Sequence, residues 1–386
     1  MEHLLNDEVR AIEISGIRKF FNLVQGQEDV LSLTIGQPDF YTPDHVKESA
    51  KNAIDGNFTT YTHNAGLLSL REAIGDFVRK KYQLYYQPDD EIIVTVGASQ
   101  AIDISLRTIL KDGDEVILPG PVYPGYEPLI KLAGAKPIYI DTRRSGFKIT
   151  ADLIKPYITT KTKAILIPYP SNPTGVTLNK EELSEITNLI ENNEIFLIAD
   201  EIYSELVYDQ EHFSIGRFTN IRDQLIIING LSKSHSMTGF RIGYILAPSW
   251  LAKHLLKVHQ YNVSCASSIS QYAALEAIKN GESDPEEMKQ AYKERRDYII
   301  KRFKDMDLHT YVPDGGFYYF IDVSHMDRSS FDIAIDIVQK AKVALVPGSA
   351  FSQFGEGYLR LSYAYDLAKL EQGIDRLEKY FKENGQ

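Results

Sequence analysis

Lys233 and Arg241 form the most chemically suggestive pair in the chain. They lie in the run Ser-Lys-Ser-His-Ser-Met-Thr-Gly-Phe-Arg, which places Ser232 and Ser234 on either side of the lysine. Hydroxyl groups and a guanidinium are suited to binding a phosphate dianion. A surface loop could have the same composition, but this run follows an apolar segment typical of a buried strand. That position favours a binding site.

Asp200 is the second candidate, because it directly follows the apolar run 195–199. We therefore expect an acid at the tip of a buried strand. Buried carboxylates rarely stay unpaired, and a protonated ring nitrogen would be a suitable partner. A helix N-cap or a structural salt bridge is the alternative interpretation.

The segment Gly97-Ala98-Ser99-Gln100 follows another apolar run and opens a predicted helix. Its glycine permits close approach of the backbone, and the free N–H groups of a helix start could hold a phosphate. An ordinary strand–turn–helix cap is the alternative.

The elements that must position these residues are short apolar runs, which alternate with amphipathic segments from about residue 90 to 250. This pattern predicts an α/β fold in which a buried, mostly parallel sheet lies between helices. The seven predicted strands are Glu91–Val96, Glu115–Leu118, Pro137–Ile140, Ala164–Ile167, Ile195–Ala199, Leu225–Ile228 and Ile242–Ala247. Two helices are predicted at Ser99–Leu110 and Lys180–Asn192, with Ser99 and Asn179 as caps. Ligands bind outside the carboxyl ends of such strands, where the candidate residues lie.

The second half of the chain indicates a smaller α+β domain. A long charged segment, Glu282–Lys304, predicts a solvated connecting helix, and a final amphipathic helix closes the chain. The predicted strands of this domain are Phe317–Val323, Ala344–Val346 and Tyr358–Tyr363. We expect an N-terminal arm with part of the small domain over 1–44, a large ligand-binding domain over 45–285 and the small C-terminal domain over 286–386.

Composition excludes several classes of function. The 386 residues carry a formal net charge of −11, which argues against a nucleic-acid surface. No apolar stretch approaches bilayer-spanning length, and residues 1–24 lack the apolar run of a signal peptide. The single cysteine, Cys265, cannot form an internal disulfide, so we expect a cytoplasmic enzyme without a membrane partner. Paired-histidine metal motifs, a P-loop and Gly-x-Gly-x-x-Gly are absent from the sequence, so no metal is expected.

A series of motifs resembles the class I/II aminotransferases, enzymes of fold type I that depend on pyridoxal 5'-phosphate (PLP). The motifs are Gly36-Gln37-Pro38-Asp39-Phe40, Gly97-Ala98-Ser99-Gln100, Pro121-Val122-Tyr123-Pro124-Gly125-Tyr126, Asn172-Pro173-Thr174-Gly175, Asp200-Glu201-Ile202-Tyr203, Ser232-Lys233-Ser234 with Arg241, and Tyr358-Leu359-Arg360-Leu361-Ser362. They occur in the family's order and span nearly the whole chain. The resemblance implies a reaction that exchanges an amino group between an amino acid and a 2-oxo acid.

The resemblance also implies catalytic roles. Lys233 would anchor PLP covalently and move the proton between the substrate α-carbon and the cofactor. Asp200 would pair with the pyridine nitrogen and keep it protonated. Tyr203 and Asn172 would hydrogen-bond the phenolic oxygen of the cofactor, and Tyr123 would stack on its ring.

Other residues are implied to bind the phosphate and the substrate. The residues that would hold the cofactor phosphate are Gly97, Ala98, Ser99, Ser232 and Arg241. Tyr61 would join them, because it resembles a tyrosine that the neighbouring subunit contributes. The resemblance therefore implies a homodimer with shared active sites. Arg360 would bind the substrate α-carboxylate in bidentate geometry, assisted by Gly36 and Asn172.

Some segments resemble those of bacterial N-acetyl-LL-diaminopimelate aminotransferases of lysine biosynthesis. These are Ser-Lys-Ser-His-Ser-Met-Thr-Gly, the run from His259 to Gln271, and Val346-Pro347-Gly348-Ser349. They imply N-acetyl-LL-diaminopimelate and the glutamate/2-oxoglutarate pair as substrates. The segments 14–17 and 61–64 are candidate linings for the far end of the substrate.

Three alternatives remain open at this point. The first is an aromatic or branched-chain aminotransferase on the same scaffold, and the second is a PLP-dependent carbon–sulfur lyase that keeps Lys233, Asp200 and Arg360. The third is a transcription regulator with an aminotransferase-like domain. Residues 1–30 are too few for a DNA-binding module, and the negative net charge of the chain also argues against a transcription regulator.

Overall fold

The computed structural model describes residues 1–24, 29–308 and 311–384. The predicted domain ranges 1–44 and 286–386 therefore include positions that lie outside the described residues. The helices are α1 Asp7–Ala11, α2 Gly16–Val24, α3 Asp44–Asp55, α4 Leu68–Tyr82, α5 Gly97–Ile109, α6 Tyr126–Leu132, α7 Ala151–Ile154, α8 Lys180–Glu191, α9 Leu231–Ser234, α10 Ser249–Val263, α11 Ser268–Asn280, α12 Asp284–Asp305, α13 Ser330–Ala341 and α14 Leu367–Asn384. The strands are β1 Leu31–Ser32, β2 Ile92–Thr95, β3 Glu115–Gly120, β4 Lys136–Asp141, β5 Thr162–Pro168, β6 Phe196–Asp200, β7 Leu225–Gly230, β8 Gly243–Leu246, β9 Tyr318–Asp322, β10 Val343–Ala344, β11 Val346–Pro347 and β12 Tyr358–Ser362.

A seven-stranded sheet forms the centre of the larger part of the molecule. Its order is β2-β8-β7-β6-β5-β3-β4. Only β8 runs antiparallel to its neighbours β2 and β7, while the remaining pairs are parallel. The sheet is therefore mostly parallel, as the sequence predicts, and β2, β3, β5, β6 and β7 end at the same edge.

Helices cover both faces of this sheet, which explains the continuous apolar runs. In β5, Ile165 and Ile167 pack into one hydrophobic core, while Ala164 and Leu166 pack into the other. Successive side chains of a strand point to opposite faces, so a sheet buried on both sides needs apolar residues at every position. Each fully buried leucine or isoleucine contributes about 1.5–3 kcal/mol relative to exposure.

A third core lies around a three-stranded antiparallel sheet of order β11-β12-β9. It also receives Phe20, Leu31 and Leu33 from the N-terminal part of the chain, and β1 pairs in parallel with β10. The N-terminal segment is thus held against the C-terminal part. The exact domain boundaries stay a prediction.

All seven predicted central strands occur in the structure, with small shifts at their ends. The predicted cap Asn179 is confirmed, because its side chain accepts from the Glu182 N–H and Glu182 bonds back to Asn179. The predicted cap Ser99 is wrong. The helix begins at Gly97, whose φ of +77° makes the turn directly after β2, so Ser99 lies inside the first turn.

Two expectations for the second half also need correction. Ala344–Val346 is not one strand, because the chain passes from one sheet to the other at the fully buried Leu345. The long helix α12 is solvated on one side only, since Tyr292, Ile299 and Phe303 are fully buried on the other. Within the described ranges, none of the helices combines the length and apolar character that crossing a membrane would require.

Candidate active site

The carboxyl edge of the seven-stranded sheet opens into a cavity of about 660 Å³. Asp200 ends β6, Lys233 follows β7 on α9, and Tyr123 and Asn172 follow β3 and β5. Most of the predicted site residues line this one cavity: Gly36, Ala98, Ser99, Tyr123, Asn172, Asp200, Tyr203, Ser232, Lys233, Arg241 and Arg360. The structure therefore brings together residues that are far apart in the chain.

Lys233 lies at the centre of this group. Its Nζ donates to the Gly36 carbonyl oxygen at 2.7 Å. Burial, followed by the nearby cations Arg241 and Arg360, lowers the pKa of Lys233 to about 8, and Asp200 opposes this shift. A substantial fraction of this amine is therefore neutral near physiological pH, as a nucleophile or a proton acceptor requires.

Asp200 is buried at the tip of β6, only 4% exposed. The Tyr126 hydroxyl donates to its Oδ2 at 2.7 Å, and the Ile202 N–H donates to its Oδ1 at 3.2 Å. Burial raises the pKa of Asp200, while these two hydrogen bonds oppose the rise. A cation placed beside it would stabilise the charged form, so this carboxylate suits a protonated ring nitrogen.

Arg360 is a buried cation in the middle of the three-stranded sheet, 2% exposed. Its Nη1 donates to Asn172 Oδ1 at 3.0 Å and its Nη2 to the Thr34 carbonyl oxygen at 2.7 Å. Among the described residues, its buried Nε has no hydrogen-bond partner and its guanidinium has no carboxylate counterion. A surface-charge role is excluded by this burial. The unsatisfied donor indicates a site for an anion.

Gly97 and Arg241 are in close contact at the start of α5. A Cβ on Gly97 would lie 2.6 Å from the Arg241 Nη2, so only glycine lets the guanidinium approach this close to the start of α5. Arg241 is fixed by its Nη1, which donates to the Thr238 carbonyl oxygen at 2.8 Å. Ala98, Ser99 and Ser232 line the same cavity, and a helix start beside a guanidinium is suited to a phosphate. Gly97 itself is not among the residues that line the cavity.

Four tyrosines line the cavity: Tyr123, Tyr126, Tyr203 and Tyr318. The Tyr203 and Tyr318 hydroxyls lie 3.1 Å apart, and burial holds the pKa of Tyr203 well above its ordinary value. Tyr203 is therefore a neutral hydrogen-bonding group at physiological pH. Tyr123 remains 37% exposed and packs edge-on against Tyr126 at 5.3 Å between ring centroids. Its open surface is suited to stacking on a planar ligand rather than to core packing alone.

Sequence reasoning missed Tyr126, Thr34 and Tyr318. Tyr126 lies inside a motif that the sequence singles out, but nothing in that motif points to its bond with Asp200. Thr34 and Tyr318 had no sequence signal. The remaining predicted residue, Tyr61, is 86% exposed and lies outside the cavity of this single chain.

Comparison with known proteins places the chain in a family. The protein-family model described as "Aminotransferase class I and II" matches residues 28–377. The chain belongs to the class I and II aminotransferases. It is 58% identical over 380 residues to a protein of Bacillus subtilis (strain 168) named "Probable N-acetyl-LL-diaminopimelate aminotransferase", covering 98% of this chain and 96% of that protein. It is 41% identical to the aspartate aminotransferase of Pyrococcus abyssi, with 98% of each covered. The solved structure of Thermus thermophilus aspartate aminotransferase with maleate is also similar, with 34% identity, a TM-score of 0.92, and 97% of this chain and 99% of that chain covered.

As a class I/II aminotransferase, the chain is a PLP-dependent transaminase. The residues present fit this cofactor. The buried carboxylate of Asp200 forms no ion pair with the residues that the structure describes. Gly97 beside Arg241 suits the phosphate, and Lys233 has an amine with a lowered pKa. The buried Arg360, with its unsatisfied Nε, provides a separate anion site for a substrate carboxylate.

Proposed function

We propose that this aminotransferase exchanges the amino group of N-acetyl-LL-diaminopimelate with 2-oxoglutarate, forming glutamate, in lysine biosynthesis. The observation that carries the proposal is the 58% identity, across 98% of this chain, to the Bacillus subtilis protein of that name. Identity to the aspartate and aromatic-amino-acid aminotransferases that cover the chain equally well is 41% and 40%. These activities are therefore the competing candidates for its substrate.

The lining of the cavity supports the cofactor contacts that we propose. Asp200 pairs with the pyridine nitrogen, Tyr203 and Asn172 hydrogen-bond the phenolic oxygen, and Tyr123 stacks on the ring. The phosphate binds to Arg241 and to the donors of Gly97, Ala98, Ser99 and Ser232. When bound, PLP supplies an electron sink for the carbanion that develops at the substrate α-carbon.

Lys233 is the group that we assign to proton movement. With a pKa of about 8, its Nζ can remove the proton from the substrate α-carbon and return it later. Its bond to the Gly36 carbonyl oxygen supports this role, because Gly36 lines the same cavity as Arg360, which we assign to the substrate carboxylate.

Arg360 holds the substrate α-carboxylate in this proposal. Asn172 and the Thr34 carbonyl oxygen already bind two of its nitrogens and so fix the plane of the guanidinium. This plane sets the orientation of the substrate, while the backbone of Gly36 lines the same side.

A homodimer with shared active sites is part of the proposal. The exposure of Tyr61, 86% in the single chain, supports its contribution to the site of a neighbouring subunit. The test is a mixture of two variants, Tyr61→Ala and Lys233→Ala. In a mixed dimer, the site with an intact Lys233 would receive an intact Tyr61 from the other chain. Activity that appears only on mixing supports the proposal, and its absence in proven mixed dimers contradicts it.

A cytoplasmic location completes the proposal. It is supported by the single Cys265, which leaves no internal disulfide to be kept oxidised. Fractionation of the native host, with detection of the protein in the cytoplasmic fraction, tests it.

The substrate assignment is tested by comparing kcat/KM for several amino donors with 2-oxoglutarate as the common acceptor. The donors are N-acetyl-LL-diaminopimelate, unacetylated LL-diaminopimelate, aspartate and phenylalanine. The proposal predicts that the acetylated donor has the highest kcat/KM. A higher value for aspartate or phenylalanine would transfer the assignment to one of the competing candidates.

A further inference from the structure

A second cavity, of about 1010 Å³, adjoins the active-site cavity. Residues of α2, the loop after β1 and Tyr123 line both spaces: Ile17, Arg18, Thr34, Ile35, Gly36 and Tyr123. Arg360, which we assign to the substrate α-carboxylate, binds the carbonyl oxygen of Thr34 in this shared wall. A substrate held by Arg360 therefore has the second cavity next to it as room for its far end.

Among the described residues that line this second cavity, the charged side chains form ion pairs except at one position. Lys19 forms an ion pair with Glu13 at 2.6 Å, and Lys131 forms one with Glu127 at 2.5 Å. Arg18 makes neither an ion pair nor a side-chain hydrogen bond with any residue that the structure describes. It is therefore the cation of the shared wall whose guanidinium is open to a ligand.

The packing of α2 presents Arg18 to the cavities. Phe20 of this helix is fully buried in the core of the small α+β part, which fixes one face. Gly16 sits so close to Ala350 that a Cβ there would lie 3.0 Å from the Ala350 Cβ. These two contacts hold the backbone of α2, while the long side chain of Arg18 stays exposed and adjustable.

We propose that Arg18 binds the distal carboxylate of dicarboxylic substrates and so determines the substrate class of this enzyme. The proposal rests on the proposed function and deepens it. Glutamate, 2-oxoglutarate and N-acetyl-LL-diaminopimelate all carry a second carboxylate at the end away from the reacting carbon. They differ in length, and a flexible arginine on a fixed helix can reach both distances. Amino acids with neutral side chains gain nothing from this contact.

The test compares the binding of glutarate and pentanoate to PLP-loaded protein by calorimetry. The two acids have the same number of carbon atoms, and neither has an amino group to react. Wild-type protein is expected to prefer glutarate. Arg18→Gln should weaken glutarate binding about 10- to 100-fold, the loss expected for a charged hydrogen-bond partner, and change pentanoate binding less than about twofold. Arg18→Lys should fall between the two.

Arg10→Gln is the matched control, because Arg10 is an exposed arginine of the same N-terminal segment that lines neither cavity. It should leave both affinities unchanged. Equal binding of the two acids by wild-type protein, or an unchanged glutarate preference in Arg18→Gln, would overturn the role of Arg18. Neither result depends on turnover, so a failure of the proposed acetylated substrate remains distinguishable in the kcat/KM comparison.

Discussion

Replacing Gly97 with alanine isolates the contact between the start of α5 and Arg241. Gly97 has a φ of +77°, and a Cβ there would lie 2.6 Å from Arg241 Nη2 and 3.0 Å from its Cζ. A guanidinium is the far end of a flexible side chain. We therefore expect Arg241 to move away while the backbone stays in place.

Two costs follow, and they affect different quantities. The left-handed backbone costs an alanine about 1–2 kcal/mol of folding free energy. Loss of a charge-assisted hydrogen bond from Arg241 to the phosphate costs about 1.5–3 kcal/mol of binding free energy. The second cost corresponds to PLP binding that is about 10- to 140-fold weaker.

Gly113→Ala separates the two costs. Gly113 also has a positive φ, +85°, but a Cβ there meets nothing within 4 Å. Urea unfolding of the apoproteins should show a similar loss of stability in both variants. Equilibrium titration of the apoproteins with PLP should show a weakened affinity for Gly97→Ala alone.

Two outcomes would refute this reasoning. Wild-type PLP affinity in Gly97→Ala would mean that Arg241 does not need this close approach to bind the phosphate. An equal loss of affinity in Gly113→Ala would mean that general destabilisation, rather than the contact, weakens the site.

Three further predictions concern the centre of the site. Because burial, Arg241 and Arg360 lower the pKa of Lys233 to about 8, and only the neutral amine is nucleophilic, PLP capture by apoprotein should accelerate with rising pH through a midpoint near 8. Stopped-flow absorbance measures this rate, and a midpoint near the ordinary lysine value of 10.5 would contradict it. Asp200→Asn should lower kcat at least about 100-fold, as removal of one member of a buried charge pair predicts, while PLP remains detectable after gel filtration. An unchanged kcat would exclude the proposed pairing with the ring nitrogen. Arg360→Lys should raise KM for α-amino acids about 10- to 100-fold through loss of bidentate binding, without changing the reaction with an alkylamine that lacks a carboxylate. An equal effect on both amines would show that Arg360 acts on something other than the carboxylate.

The sheet and its ligand edge were predictable because burial on both faces produces a distinctive pattern. Strands such as 195–199 and 225–228 are apolar at every position, and polar residues follow directly at their ends. Parallel connections then bring Asp200 and Lys233 to one edge without any knowledge of packing. The motifs added the identity of the ligand, which patterns of polarity do not contain.

Contacts between distant segments were not predictable in the same way. The Tyr126 bond to Asp200 and the Thr34 bond to Arg360 depend on how loops and the N-terminal segment pack. Arg18 has no local signal at all, since an arginine on a short amphipathic helix usually marks a solvated face. The crossing at Leu345 was missed because a buried passage between two sheets has the same apolar pattern as one strand.

The most direct test of the proposed reaction is a single-turnover experiment on PLP-loaded protein. Glutamate should convert the cofactor from its aldehyde to its amine form, with the corresponding change in absorbance. Addition of the 2-oxo acid that corresponds to N-acetyl-LL-diaminopimelate should restore the original spectrum and release the acetylated amino acid. A cofactor that glutamate converts but this oxo acid does not restore, while oxaloacetate does, would contradict the proposed substrate.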